Sequence, residues 1–502
     1  MSESPDPSTA LTEAALALLQ SGDFTGAVQE LVERLETHPE HPVLHNMLGS
    51  AHAGLGQVDK ARACVQQAIT LDPCYANAHH NLGLLSLQEK DAETACRHFQ
   101  QAYDLAPDDP GLANSLAAAL YAAQDAARAL DTIETALLKS PEDLPLRKAR
   151  AEYLLASHRP KQALEAFADV IEQDPTDGQL HLSMALTLRL LHRPGDAGET
   201  LKTAAHLMPD NHEVYLETGR VWMAGQRYDK ARMCFEKASS LAPNEAVIFR
   251  DLSKALQAQG QPAAALRHLK HSLALDPDNA ETRHFINALT GQPSTRAPKQ
   301  YVTDLFDDYA DGFEAALTDD LGYDAYKAAA KLARQKRPKG RFSSVLDLGC
   351  GTGLFGTEIH PATDRLTGVD LSSRMIAHAR NTGLYDTLLV ADVVETLKSE
   401  GAAHDLYAAT DVFTYLGDLT PVFTAFAEVA RPGALMVFTT EALDGDGYQL
   451  RTTGRFAHSR SYIDMLVQSS GLTSLSHKNI PLRREEDSHL QGGLYLIEKP
   501  KG

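Results

Sequence analysis

The sequence predicts an all-helical repeat array followed by an α/β domain built on a mostly parallel sheet. Three observations predict it. Proline recurs at positions 39, 73, 107, 141, 175, 209, 243 and 277, always 34 residues apart. Further on, a glycine-rich turn, Gly349-Cys350-Gly351-Thr352-Gly353, separates an apolar strand from a helix start. Around it, short apolar runs alternate with helical patterns, the order that yields a parallel sheet covered by helices on both faces.

A chain of 502 residues, 43% hydrophobic and 23% charged, has room for two or more globular domains. Its formal charge of −20 argues against a nucleic-acid partner, because phosphate binding needs clustered Lys and Arg. No apolar run is long enough to span a bilayer, so no membrane partner is expected. The polar, acidic start Met1-Ser2-Glu3-Ser4-Pro5-Asp6-Pro7 reads as neither a secretory signal nor a transit peptide, and a cytoplasmic protein is expected. The five cysteines, Cys64, Cys74, Cys96, Cys234 and Cys350, are odd in number and lack paired metal spacing. Reduced thiols and no metal are expected.

After a polar tail at residues 1–7, the array is assigned to residues 8–290. Alanine keeps phase with the prolines at Ala27, Ala61, Ala95, Ala129, Ala163, Ala197, Ala231 and Ala265, and large apolar residues such as Phe99, Ile133, Phe167 and Phe235 fall after them. Each unit reads as two antiparallel helices. The small alanines allow close packing, and proline ends the second helix. One unit cannot bury its apolar face alone, so neighbours must stack. Eight units fit between about Ser8 and Asn279, and Ala280–Leu289 reads as a capping helix with a polar outer face. This pattern resembles the tetratricopeptide repeat. The resemblance implies a superhelix whose concave face is lined by each first helix. In the family's usual phase the inward positions include Asn46, His80, Asn114 and Lys148, then Arg189, Arg220, Arg250 and Lys254. Amide and imidazole groups there would hydrogen-bond a peptide backbone, and the basic groups would hold carboxylates. A protein or peptide partner is therefore expected in this groove.

Residues 291–300 form a linker rich in helix breakers. Residues 301–343 follow as a helical segment, with Tyr301, Val302, Leu305, Phe306, Tyr309, Ala310 and Phe313 at helical spacing and a second helix from about Tyr323 to Gln335.

The α/β domain is assigned to residues 344–502. Gly351-x-Gly353-x-x-Gly356 matches the dinucleotide fingerprint literally. Asp347, at the end of the strand before the glycines, would repel a pyrophosphate. A carboxylate there suits a cationic group, such as the amino-acid end of S-adenosylmethionine. Asp370 ends the next strand, Leu366–Asp370, where an acid grips ribose hydroxyls in such folds. Asp347-x-Gly349-x-Gly351-x-Gly353 followed by Gly368-Val369-Asp370 resembles the signature of class I S-adenosylmethionine-dependent methyltransferases. The resemblance implies a Rossmann-like fold, S-adenosylmethionine as cofactor, and contact of Asp392, after the third strand (Thr387–Ala391), with the adenine amino group. A bacterial group of such enzymes fused to tetratricopeptide repeats shares the Leu305-Phe306-Asp307-x-Tyr309-Ala310-x-x-Phe313 pattern. Tyr309 is the candidate lid residue.

The fourth strand, Asp405–Thr410, delivers Asp411 and Tyr415 to the sheet edge where ligands bind. Asp411 joins the cofactor set. Glu441, expected just past the fifth strand (Leu435–Thr440), and His458, before a helix at Tyr462–Ser470, join Tyr415 as catalytic candidates for orienting or deprotonating an acceptor. A carboxylate acceptor would need no base, and Arg451 or Arg455 would orient it. Two strand-like runs, Thr473–His477 and Leu494–Glu498, close the domain as a hairpin. The reading is thus a methyltransferase acting on a protein or peptide recruited by the array. The alternatives are a small-molecule methyltransferase whose repeats bind partners, a non-catalytic scaffold, and a nicotinamide-dependent dehydrogenase, which Asp347 disfavours.

Overall fold

The computed structural model describes residues 7–310, 324–337, 340–399, 404–485 and 488–501. It falls into two compact units, residues 1–210 and 211–502. Among the described residues no helix is long and apolar enough to cross a membrane.

The first unit is helical throughout, in antiparallel pairs such as Pro42–Gly54 with Val58–Leu71 and Ala76–Gln88 with Ala92–Leu105. One backbone feature repeats with the sequence. Gly22, Gly56, Lys90, Gln124, His158 and His192, one per repeat, sit in the left-handed region and reverse the chain after the first helix. Asp23, Asp91 and Asp125 follow that residue and cap the second helix, each accepting from a backbone N–H three residues on. The in-phase alanines are fully buried, and the second-helix aromatics Phe99 and Phe167 fill the space between the helices.

The second unit continues the pattern with His212–Ala224 and Tyr228–Leu241, then Ala246–Ala258 and Pro262–Leu275. Gly219 faces the Phe235 ring, and a Cβ added there would lie 2.4 Å from it. Gly219→Ala is expected to destabilise this unit by about 1–3 kcal/mol through overpacking, read as a lowered melting temperature.

The helix Ala280–Thr290 departs from the expected polar-faced cap. One side of it is buried against the α/β domain: His284 Nε2 donates to the Gly454 carbonyl at 2.8 Å, Phe285 meets Tyr301 edge-on, and Ala288 packs with Leu450 and Phe456. The reason is that this face meets another apolar surface, not water.

The nine described strands form one sheet. Parallel strands β1 (Val345–Leu348), β2 (Leu366–Asp370), β3 (Thr387–Val390), β4 (Leu406–Ala409) and β5 (Leu435–Ala442) lie in the order β3-β2-β1-β4-β5. Two short strands, β6 (Tyr448–Leu450) and β7 (Phe456–His458), extend the sheet from the end of β5. The long hairpin β8 (Thr473–Glu485) and β9 (Ser488–Glu498) adds antiparallel to β5 through β9. Side chains alternate between two cores. Leu346, Tyr407, Ala409 and Phe438 enter one, with Phe423 and Phe426 of the helix Thr420–Val429. Val345, Leu406, Ala408 and Val437 enter the other, with Ala329 and Ala333 of the helix Ala325–Gln335. Burial on both faces is what fully apolar parallel strands require.

Candidate functional site

The carboxyl ends of β1, β2 and β4 open into a cleft of ≈ 910 Å³, counting the solvent at its mouth. Its floor is the glycine turn. Gly349, Gly351 and Gly353 have φ of 70°, 54° and 106°, a left-handed path that side chains rarely adopt. A Cβ on Gly349 would also stand 2.4 Å from Val412. The Gly349 and Cys350 N–H groups donate to the Val369 carbonyl, and Gly351 N–H donates to Asp370 Oδ2 at 3.0 Å. Asp370 Oδ1 accepts from Ser372 N–H at 2.9 Å. One carboxylate thus ties the turn to the start of the helix Ser373–Asn381. Burial raises the Asp370 pKa, against the backbone hydrogen bonds that lower it.

The third glycine of the fingerprint serves another purpose. Added Cβ atoms at Gly356 and Gly368 would lie 2.4 and 2.8 Å from Tyr385. These glycines make room for an aromatic ring. Tyr385 then donates its hydroxyl to Asp347 Oδ2 at 2.7 Å.

Asp347 does not line the cleft. It is buried beneath the turn, and its Oδ1 has no hydrogen-bond partner. Burial pushes its pKa up to about 7, the Tyr385 hydrogen bond opposing and the nearby Asp370 adding to the shift. The folded state therefore keeps this proton between about pH 4 and 7, where the unfolded chain has lost it. Stability from this group falls as pH rises through that window. Asp347→Asn is expected to melt at a higher temperature than the native protein at pH 8 and at the same temperature near pH 4, measured by calorimetry.

Of the remaining cofactor candidates, Asp411 and Asp392 line the cleft. Asp411 is a non-glycine residue at φ 59°, and its buried Oδ1 has no hydrogen-bond partner. Thr352 Oγ1, on the glycine turn, is also buried without one. Such atoms mark a place where a ligand would complete the bonding. Asp392 is committed within the chain. Its Oδ1 caps the helix Val393–Ser399, and its Oδ2 accepts from Arg296 at 2.7 Å. Burial raises its pKa, but Arg296 outweighs this and holds the carboxyl below its ordinary range. The side chain of Tyr309 lies outside the described residues, as do Phe313 and Tyr323.

Tyr415 lines the cleft and packs edge-on against Phe306. The other two catalytic candidates stand outside its lining. Glu441 belongs to β5, which runs to Ala442, and it is buried with Oε1 accepting from Arg483 Nη2 at 2.7 Å. Its expected place in a loop after the strand is corrected accordingly. His458 ends β7, is buried, and donates from Nε2 to the Gly417 carbonyl at 3.0 Å. Burial lowers its pKa to about 4, so the ring is neutral, and it does not line the cleft.

The helix Lys299–Tyr309 lies at the cleft as a lid segment would, and the linker before it supplies a wall that the sequence reading did not foresee. Thr295 O accepts from Gly417 and Asp418, Ala297 N–H donates to the Tyr415 carbonyl, and Arg296, Ala297, Val302 and Phe306 line the cleft. The signal for it was faint: Arg296 beside Ala297 in a stretch that reads as a linker.

The expected basic groove is largely self-neutralised. Lys148 Nζ reaches Asp174 and Asp177 at 2.9 and 2.7 Å. Arg220 bonds Glu217 and Asp251, while Arg250 and Lys254 face Glu281. Asn46 Oδ1 accepts from Asn81, and His80 Nε2 pairs with Ser115 Oγ. Asn114 and Arg189 are half-buried. The carboxylates expected from a bound partner come instead from elsewhere in the array.

A model of the methyltransferase domain matches residues 345–433, and one of the tetratricopeptide repeat matches residues 46–110. A malonyl-[acyl-carrier protein] O-methyltransferase of Salmonella typhimurium is 27% identical over 132 residues, 26% of this chain and 52% of that protein. A ubiquinone biosynthesis O-methyltransferase of Bordetella pertussis is 31% identical over 143 residues, 26% of this chain and 58% of that protein. The chain thus spans little more than half the length of these relatives. A tetratricopeptide repeat protein from Parabacteroides merdae, of known structure, is 17% identical with a TM-score of 0.40, covering 49% of this chain and 98% of that one. The chain therefore joins a tetratricopeptide repeat array to a methyltransferase domain.

Proposed function

We propose that the cleft binds S-adenosylmethionine, that the domain transfers its methyl group to an acceptor oxygen, and that the repeat array recruits a protein. The observation that carries this reading is the glycine turn with two buried oxygens that lack a hydrogen bond, Asp411 Oδ1 and Thr352 Oγ1, on one cleft. The residues present fit the group. Acids ring the cleft where a cationic nucleoside would sit, and Val302, Phe306, Leu371 and Val393 supply apolar walls. Bound S-adenosylmethionine supplies a methyl group already activated on a sulfonium. The chain's own residues bind and orient, and positioning of this kind carries much of such a displacement. Asp370 faces the ribose, Asp411 a donor hydrogen, and Asp347 places charge beneath the turn once it ionises above about pH 7. Tyr415 sits where the acceptor arrives. The oxygen acceptor is supported by the O-methyltransferase names of the relatives.

Two acceptors fit the fusion. Attachment of the array favours a protein or peptide substrate. The ion pairs that occupy Lys148, Arg220, Arg250 and Lys254 favour a small-molecule acceptor, with the array holding a partner. Incubating the full chain with methyl-labelled S-adenosylmethionine and cell extract separates them. Label on protein supports the first, and label in the low-molecular-weight fraction supports the second. No transfer to either, together with no binding of the cofactor, contradicts the proposal.

A further inference from the structure

At the Tyr415 end of the cleft, three guanidinium groups converge on two carboxylates. Arg483 is buried; its Nη2 donates to Glu441 Oε1 at 2.7 Å, and its Nη1 stands 3.7 Å from Asp411 Oδ1. Arg451 and Arg455, which flank the turn between β6 and β7, approach the Glu441 oxygens to 3.8 and 3.9 Å. Those distances give attraction without a hydrogen bond to Glu441; Arg451 Nη2 donates to the Ala442 carbonyl at 2.5 Å. Among the described residues the cluster holds one more guanidinium than carboxylates. The cluster is continuous with the cleft, because Asp411 and Tyr415 line it and the Arg455 guanidinium lies over the Tyr415 ring at 5.8 Å. It is also reachable from outside: the Arg451 and Arg455 side chains are 32% and 26% exposed. Burial works against the charge on Arg455, but Tyr415, Asp411 and Glu441 outweigh it and keep the group protonated.

Resting on the methyl-transfer reading, we infer that Arg451 and Arg455 hold the acceptor and that the acceptor is a carboxylate. The charge left over suits one anion, and a planar guanidinium matches a carboxylate with two parallel hydrogen bonds. The proton balance points the same way. A neutral hydroxyl must lose a proton, and the groups placed to take it are engaged. Glu441 is tied to Arg483, and His458 Nε2 is bonded to the Gly417 carbonyl. Among the described lining residues, Asp370 and Asp392 use both oxygens within the chain, and Asp411 is assigned to the donor. A carboxylate needs no base. Its oxygen lone pair forms the O–CH₃ bond, the S–CH₃ bond breaks with its electron pair staying on sulfur, and no proton moves. The products are a neutral methyl ester and a neutral thioether.

The test uses the full chain saturated with S-adenosylhomocysteine and titrated by calorimetry with malonate and with malonamide, its uncharged analogue. Malonate should bind at least tenfold more tightly. The double variant R451M/R455M should lose at least tenfold in malonate affinity while keeping its affinity for S-adenosylmethionine. If the double variant does not fold, R451M alone, at the more exposed side chain, carries the same comparison with a smaller loss. Equal binding of malonate and malonamide, or native malonate affinity in the folded variant, would overturn the inference. A chemical readout runs beside it: label transferred to an acceptor in cell extract should be released by mild alkali as methanol, as from an ester. Label that resists alkali rejects the carboxylate and leaves methyl transfer standing. Failure to bind S-adenosylmethionine at all rejects the underlying reading instead.

Discussion

Asp370→Ala is expected to lower the affinity for S-adenosylmethionine about 100-fold, or about 3 kcal/mol. The effect has two parts. The substitution removes a carboxylate facing the proposed ribose position. It also releases the Gly351 and Ser372 N–H groups, which Asp370 holds at 3.0 and 2.9 Å. The glycine turn then loses its tie to the following helix, and the left-handed path of Gly349, Gly351 and Gly353 is no longer fixed before the ligand arrives. Asp370→Asn keeps one accepting oxygen and should fall between the two. Calorimetric titration of the three proteins checks this order. Native affinity in Asp370→Ala would mean the ribose is gripped elsewhere.

Glu441→Ala is expected to destabilise the α/β domain by about 3–5 kcal/mol, the cost of leaving a buried charge without its partner. Arg483 is buried, and among the described residues Glu441 Oε1 stands 2.7 Å from it and Asp411 3.7 Å. Glu441→Ala combined with Arg483→Met should recover much of the loss, since the unpaired guanidinium is gone. Urea unfolding of the single and double variants measures the coupling. A Glu441→Ala protein as stable as the native one would show that water or Asp411 compensates Arg483 fully.

How much of this was legible in the sequence depended on whether the signal was local. The repeats announced themselves because proline and alanine recur in fixed phase, and the physics of helix pairing acts within one period. The parallel strands were legible because burial on both faces leaves continuous apolar runs such as Leu406–Ala409 and Leu435–Phe438. Strands β6 and β7 were not, since three residues each give no periodicity. Glu441 was misplaced by two residues of strand, enough to move it from a loop into a buried pair. The glycine spacing drew attention to the turn, but it did not reveal that Gly356 and Gly368 accommodate Tyr385, because that ring comes from a different loop. The partners of the groove's basic residues were hidden for a similar reason. The acids that satisfy Lys148 come 26 and 29 residues later, beyond any local pattern.

The central claim is that the glycine turn serves a cationic sulfonium nucleoside and not a dinucleotide. Calorimetric titration of the full chain with S-adenosylmethionine and, separately, with NADH tests it most directly. The account predicts one S-adenosylmethionine bound per chain, with affinity that strengthens as pH rises through about 7 and the buried Asp347 carboxyl ionises, and no heat from NADH. Saturable binding of NADH, or no binding of S-adenosylmethionine at any pH, would contradict it.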